Sequence, residues 1–86
     1  MNRVIKRKKR SKIKKIWIVF DENNDTLRCF KSKTAAIRYS YSYFTYFLNK
    51  GKPEFRHPFY YSDDSYIDIY VDNSAVGYIG SYFLWE

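Results

Sequence analysis

The spacing of apolar residues divides the chain into segments of two different periods. In residues 13–20, Ile16, Ile18 and Phe20 share one side and Trp17 and Val19 the other, the two-residue repeat of a β-strand. Residues 26–31 predict a return strand. The run Asp21-Glu22-Asn23-Asn24-Asp25 between them is a polar turn whose residues tolerate a left-handed backbone, so the pair should be an antiparallel hairpin. From Ser32 to Asn49 the period lengthens. Ile37, Tyr41, Phe44 and Leu48 fall at helical spacing, flanked by Ala36, Ser40 and Phe47. Ser32 offers an N-cap hydroxyl, and Gly51 suits a helix stop. The opposite face of this helix carries Arg38, Tyr39, Ser42 and Tyr46, with Tyr43 at its border.

Pro53 and Pro58 make the next stretch irregular or edge-like, with Phe55 and Phe59 expected to pin it to the core and Tyr60 and Tyr61 to begin a short strand. Residues 62–65 read as a turn. Residues 66–71 alternate cleanly: Ile67, Ile69 and Val71 face inward, and Tyr66, Asp68 and Tyr70 face out, as in a strand with one wet side. Asp72-Asn73-Ser74 turns the chain. Residues 76–85 form a last strand in which Gly77 and Gly80 permit a bulge or a close backbone contact. The expected fold is α+β, ββαββ, with one antiparallel sheet and a single helix packed across one face.

Charge changes this picture at one end. Residues 1–15 contain nine Lys or Arg and no acid: Arg3, Lys6, Arg7, Lys8, Lys9, Arg10, Lys12, Lys14 and Lys15. The rest of the chain carries seven bases and nine acids, so the net charge of +7 belongs to the N-terminus. Residues 1–12 are therefore expected to be a basic arm, disordered unless bound, attached to a single small domain over 13–86. Val4 and Ile5 are too sparse for a membrane-binding helix.

Eighty-six residues bury a modest core, for which an aromatic content of 22% compensates. Lys, Asn, Ile, Tyr and Phe are all abundant, as AT-rich coding favours, so part of the tyrosine excess is compositional. The single cysteine, Cys29, allows no internal disulfide and is expected to be a small buried apolar side chain. There is no apolar leader segment, and the longest apolar run, residues 16–20, is too short to span a bilayer; a reducing, cytoplasmic location is the expectation.

The sequence Phe30-x-Ser32-Lys33-x-x-Ala36, directly after a hairpin, resembles the sheet-to-helix junction of the arm-binding domain of phage-type tyrosine integrases and of the related plant ethylene-response-factor domain. The resemblance covers residues 15–39. It implies a phenylalanine packed under the helix, a capping serine, an alanine at a close helix–sheet approach, and DNA contact from the sheet. Lys15, Trp17, Arg28 and Lys31 are the side chains available for that contact. Those families place three strands before the helix, whereas two fit here and two more come after it.

The basic arm is the strongest chemical signal, because Lys and Arg on phosphates release condensed counterions and gain affinity without reading sequence. The expectation is a small non-enzymatic nucleic-acid-binding accessory protein of phage, mobile-element or ribonucleoprotein type. Lys15, Trp17, Arg28 and Arg38 would extend the arm's footprint onto the domain, with Lys14 counted among the arm's nucleic-acid contacts. The alternative is a phage-type effector that inhibits a host protein, such as a defence or nuclease complex, through Tyr39, Tyr43, Tyr46, Tyr66, Asp68 and Tyr70 and the acidic C-terminal half. Asp63, Asp64, Asp68 and Asp72 match no metal-loop spacing, and His57 lacks partners for a catalytic set. No cofactor, metal or small-molecule substrate is expected.

Overall fold

The computed structural model describes residues 13–57 and 65–85. They form a five-stranded antiparallel sheet in the order β2-β1-β5-β4-β3. The strands are β1 (Ile13–Asp21), β2 (Thr26–Phe30), β3 (Glu54–Arg56), β4 (Tyr66–Val71) and β5 (Ser74–Trp85). Between β2 and β3 run the helix α1 (Lys33–Ser42) and a π-helical turn (Tyr43–Phe47). The α+β class and the single helix on one sheet are as the pattern predicts. The addition is β3, a three-residue edge strand that starts directly after the buried Pro53. The expectations for the arm, Phe59, Tyr60, Tyr61, Asp63 and Asp64 concern residues outside those described.

Each turn has a local cause. Asp21 folds the first hairpin by accepting hydrogen bonds at Oδ1 from the backbone N–H of Asn23 and of Asp25, both at 2.9 Å. The β4–β5 hairpin closes through Asp72 and Asn73, at φ 52° and 66°. Two consecutive left-handed residues give the turn that matches strand twist. Ser32 caps α1, its Oγ accepting from the Ala35 N–H at 3.1 Å.

The core lies between α1 and one sheet face. It comprises Trp17 and Val19 from β1, Ile67, Ile69 and Val71 from β4, Val76 and Ile79 from β5, and Ala36 and Phe44 from the helical segment. Ser40 is also fully buried, and its hydroxyl donates to the Ala36 carbonyl at 2.8 Å. The buried stripe is thus Ala36, Ser40 and Phe44, with Ile37 beside it. It ends there because the π-helical turn is one residue wider than an α-helical turn and rotates the residues beyond it. Leu48, expected on the stripe, is 38% exposed, and Phe47 is 75% exposed. The wide register persists at the helix end, where the Lys50 N–H reaches back six residues to the Phe44 carbonyl at 2.8 Å. Asn49 supplies the left-handed residue of this stop at φ 52°, and Gly51 comes two residues later at φ 124°.

Cys29 is exposed, contrary to the expectation of burial. It pairs with Ile18 on an edge strand, on the face away from the helix.

Candidate nucleic-acid interface

Among the described residues the helical segment packs on one face of the sheet only, which leaves the second face open. Along β1 this face carries Lys14, Ile16, Ile18 and Phe20; along β5 it carries Tyr78, Gly80, Tyr82 and Leu84; along β4 it carries Tyr66, Asp68 and Tyr70. Three of the rings stand upright and stack on one another. Phe20 and Tyr78 have centroids 4.6 Å apart at 19°, and Tyr66 and Tyr78 are 5.1 Å apart at 13°. Those separations are close to the spacing between strands, so these ring faces lie against each other and their edges point to solvent. Tyr82 is different. It meets Phe20 edge to face, at 77°, and its phenol end leans over Gly80. A side chain at position 80 would stand 2.8 Å from the Tyr82 hydroxyl oxygen. Tyr82 is 43% exposed.

Charge runs unevenly along β1. β1 begins at Lys14 and Lys15 and ends at Asp21, with Glu22 next in the chain. At the basic end, β2 stops short: its last partner is Phe30, opposite Trp17, while β1 and β5 continue to the Ile13–Trp85 pair. The step leaves a groove of about 420 Å³ lined by Lys14, Lys15, Ile16, Lys31 and Leu84. Tyr82 adjoins it as the cross-strand partner of Ile16. At the acidic end, Asp21, Glu22 and Asp68 line a second hollow with Tyr66 and Tyr78. Burial holds the Asp68 carboxyl above its ordinary range. Burial, then the neighbouring Tyr82, raises the Tyr78 phenol.

The residues expected from sequence fall in several places. Arg3, Lys6, Arg7, Lys8, Lys9, Arg10 and Lys12 lie outside the described residues. Lys14 and Lys15 are exposed and meet Lys31 at the groove. Trp17 is corrected: it is 7% exposed and belongs to the core, so it is no contact surface. Its ring instead seats the Lys15 ammonium, 4.9 Å from the centroid, and the same ammonium lies 5.7 Å from the Phe83 centroid. Arg28 is exposed on the helix side of edge strand β2, its guanidinium 5.6 Å from the Tyr39 ring centroid. Arg38 is exposed on α1 and does not line the groove.

Tyr39 and Tyr43 are half-buried rather than open. Tyr39 packs on Phe30 at 5.4 Å and stacks on Tyr43 at 5.6 Å, and Tyr43 stacks on Phe47 at 5.3 Å. Burial, then Tyr43, raises the Tyr39 phenol, against a smaller lowering by Arg28. Tyr46 is 73% exposed, and with Tyr39, Ser42, Tyr43 and Phe47 it lines a shallow groove of about 500 Å³. Tyr70 is covered by Arg56, whose guanidinium sits 4.1 Å above its ring while donating to Glu54 at 2.9 Å and Asn73 at 3.0 Å. That bond keeps the Glu54 carboxyl below its usual range.

Sequence reading did not single out Tyr82. Its signal was the Tyr78-Gly80-Tyr82 alternation, which puts a glycine between two tyrosines on one face. Among the described residues no group of three or more His, Cys, Asp or Glu is placed to hold a metal, and no helix is long and apolar enough to cross a membrane. Compared with known proteins, the chain matches no family model, no curated protein and no solved structure.

Proposed function

We propose that this protein is a small non-enzymatic nucleic-acid-binding protein that grips the phosphate backbone through its basic N-terminal stretch and the lysines at the start of the sheet. One observation carries the reading. The run of bases from Arg3 to Lys12 leads straight into β1, where Lys14 and Lys15 share a groove with Lys31 from the end of β2. Seven cations precede β1 in the sequence and three more line this groove, although Lys31 is distant from the others in sequence. Lysine and arginine in such a concentration attract polyanions by charge alone. The acids at the far end of β1 repel the same partner and so favour the basic end. The sheet-to-helix junction resembles that of DNA-binding integrase and ethylene-response-factor domains, which agrees with this reading. A cytoplasmic accessory role beside DNA or RNA is the setting it suits.

The test is fluorescence anisotropy of the full-length chain with labelled oligonucleotides at low salt. The comparison is a variant in which Arg3, Lys6, Arg7, Lys8, Lys9, Arg10 and Lys12 are all glutamine. The proposal expects binding by the parent and a loss of at least about tenfold in the variant. Equal affinities, or no binding by the parent, would overturn it.

A second reading is supported by the exposed Tyr46 and Phe47 beside the Tyr39–Tyr43 groove. Tyrosine-rich apolar surface of this kind suits a protein interface, as an effector that blocks a host complex would need. Substituting Tyr46 and Phe47 with serine would then abolish capture of that partner and leave oligonucleotide binding intact.

A further inference from the structure

Among the described residues the open face carries five aromatic rings, and they are not equivalent: Tyr70 lies under Arg56, and the other four divide into three and one. The upright trio of Tyr66, Tyr78 and Phe20 uses its ring faces internally, so an incoming base finds mostly ring edges there. Tyr82 leans over Gly80, meets Phe20 edge to face rather than stacked, and is 43% exposed. Glycine at position 80 makes this possible, because any larger residue would lift the ring. Tyr82 also stands where the charge is favourable. Its cross-strand partner Ile16 is flanked by Lys15 and lines the same groove as Lys14 and Lys31.

From this placement, and resting on the nucleic-acid reading above, we propose that the open face at Tyr82 binds single-stranded polynucleotide, with an unpaired base stacked on the Tyr82 ring and the adjoining phosphates held by Lys14 and Lys31. The chemistry on each side is complementary. A single strand offers an exposed base face next to a phosphate, and the site offers an exposed ring next to ammonium groups. Its direction is fixed as well: Asp21, Glu22 and Asp68 border Tyr66 and Tyr78, so the phosphates should run away from the upright stack and out along the β1–β5 ribbon. A duplex satisfies the lysines but has no unstacked base to present, so it gains nothing from Tyr82. A protein partner would be an alternative occupant of the same ring, and it would not show the base dependence tested below.

The experiment measures anisotropy of the full-length chain with fifteen-residue oligo(dT), fifteen-residue oligo(rU) and a DNA duplex of equal length, at one moderate salt concentration. Tyr82→Leu keeps apolar cover over Gly80 without a π face, Tyr82→Phe keeps the ring, and Gly80→Ala displaces it. The proposal expects one or both single strands to bind about tenfold more tightly than the duplex. Tyr82→Leu and Gly80→Ala should each lose about tenfold on the single strand, with Tyr82→Phe near the parent and duplex binding unchanged throughout. Whichever of oligo(dT) and oligo(rU) is favoured identifies DNA or RNA. A cross-link from 5-bromouracil in the same oligonucleotide to the Tyr82 peptide of the unmodified chain supports the site independently of any variant's folding.

Equal binding of duplex and single strand, with no effect of Tyr82→Leu and no cross-link at Tyr82, overturns this inference and leaves the general nucleic-acid reading standing. Binding to none of the three oligonucleotides at low salt removes both.

Discussion

Gly77 lies so close to Phe20 that a Cβ at position 77 would stand 2.3 Å from the Phe20 carbonyl oxygen and 3.2 Å from Cζ of Phe44. The backbones of β1 and β5 and the innermost ring of the helical segment therefore converge on one hydrogen-sized gap. Gly77→Ala should lower stability by about 1–3 kcal/mol, the usual effect of overpacking where backbone must move. Chemical denaturation of the purified variant measures it, and an unchanged midpoint would show that the three elements do not meet as described.

Phe44 and Phe47 test the π-helical turn. They are three residues apart, and a continuous α-helix would put both near the sheet. Here Phe44 is 1% exposed and Phe47 75%. Phe44→Ala should cost about 3–5 kcal/mol, a large part of what a domain this small possesses. Phe47→Ala should stay within about 0.5 kcal/mol. Similar losses from the two, read from thermal melts, would contradict the placement.

Asp68 sits between Tyr66 and Tyr70 along β4 and opposite Tyr78 of β5. Burial raises its carboxyl above the ordinary range. A carboxyl raised on folding disfavours the folded state while ionised. That penalty is absent below the unfolded-chain value, grows as pH rises from there to the folded value, and is complete above it. Asp68→Asn should therefore raise the melting temperature at neutral pH, and its advantage should fade below about pH 4. A destabilised variant at neutral pH would mean that the carboxylate has a favourable partner instead.

The elements of the fold were legible because each has a local cause. The alternation of Ile67, Ile69 and Val71 fixes which side of β4 is buried, and Ser32 marks where the helix begins. The features hidden from the sequence depend on neighbours. Trp17 reads like any large exposed-strand aromatic until the helix lies over it. Cys29 reads as a core residue until β2 proves to be an edge. Leu48 reads as the next residue of the helical stripe because a one-residue widening of the helix leaves no mark on the spacing before it. At the site, the cationic run is visible in the sequence. The meeting of Lys31 with Lys14 and Lys15 is not, because it requires β2 to stop opposite Trp17 while the β1–β5 ribbon runs on to Ile13.

The central claim, that the basic stretch and the groove lysines hold a polyanion together, is tested most directly by the salt dependence of oligonucleotide binding. For the intact chain, log affinity should fall linearly with log salt, with a slope of about −0.7 per single-strand phosphate engaged. Changing Lys14, Lys15 and Lys31 together to glutamine should flatten that slope by about 2, since each contact contributes its own increment. An unchanged slope in the triple variant, or salt-independent binding by the parent chain, would contradict the account.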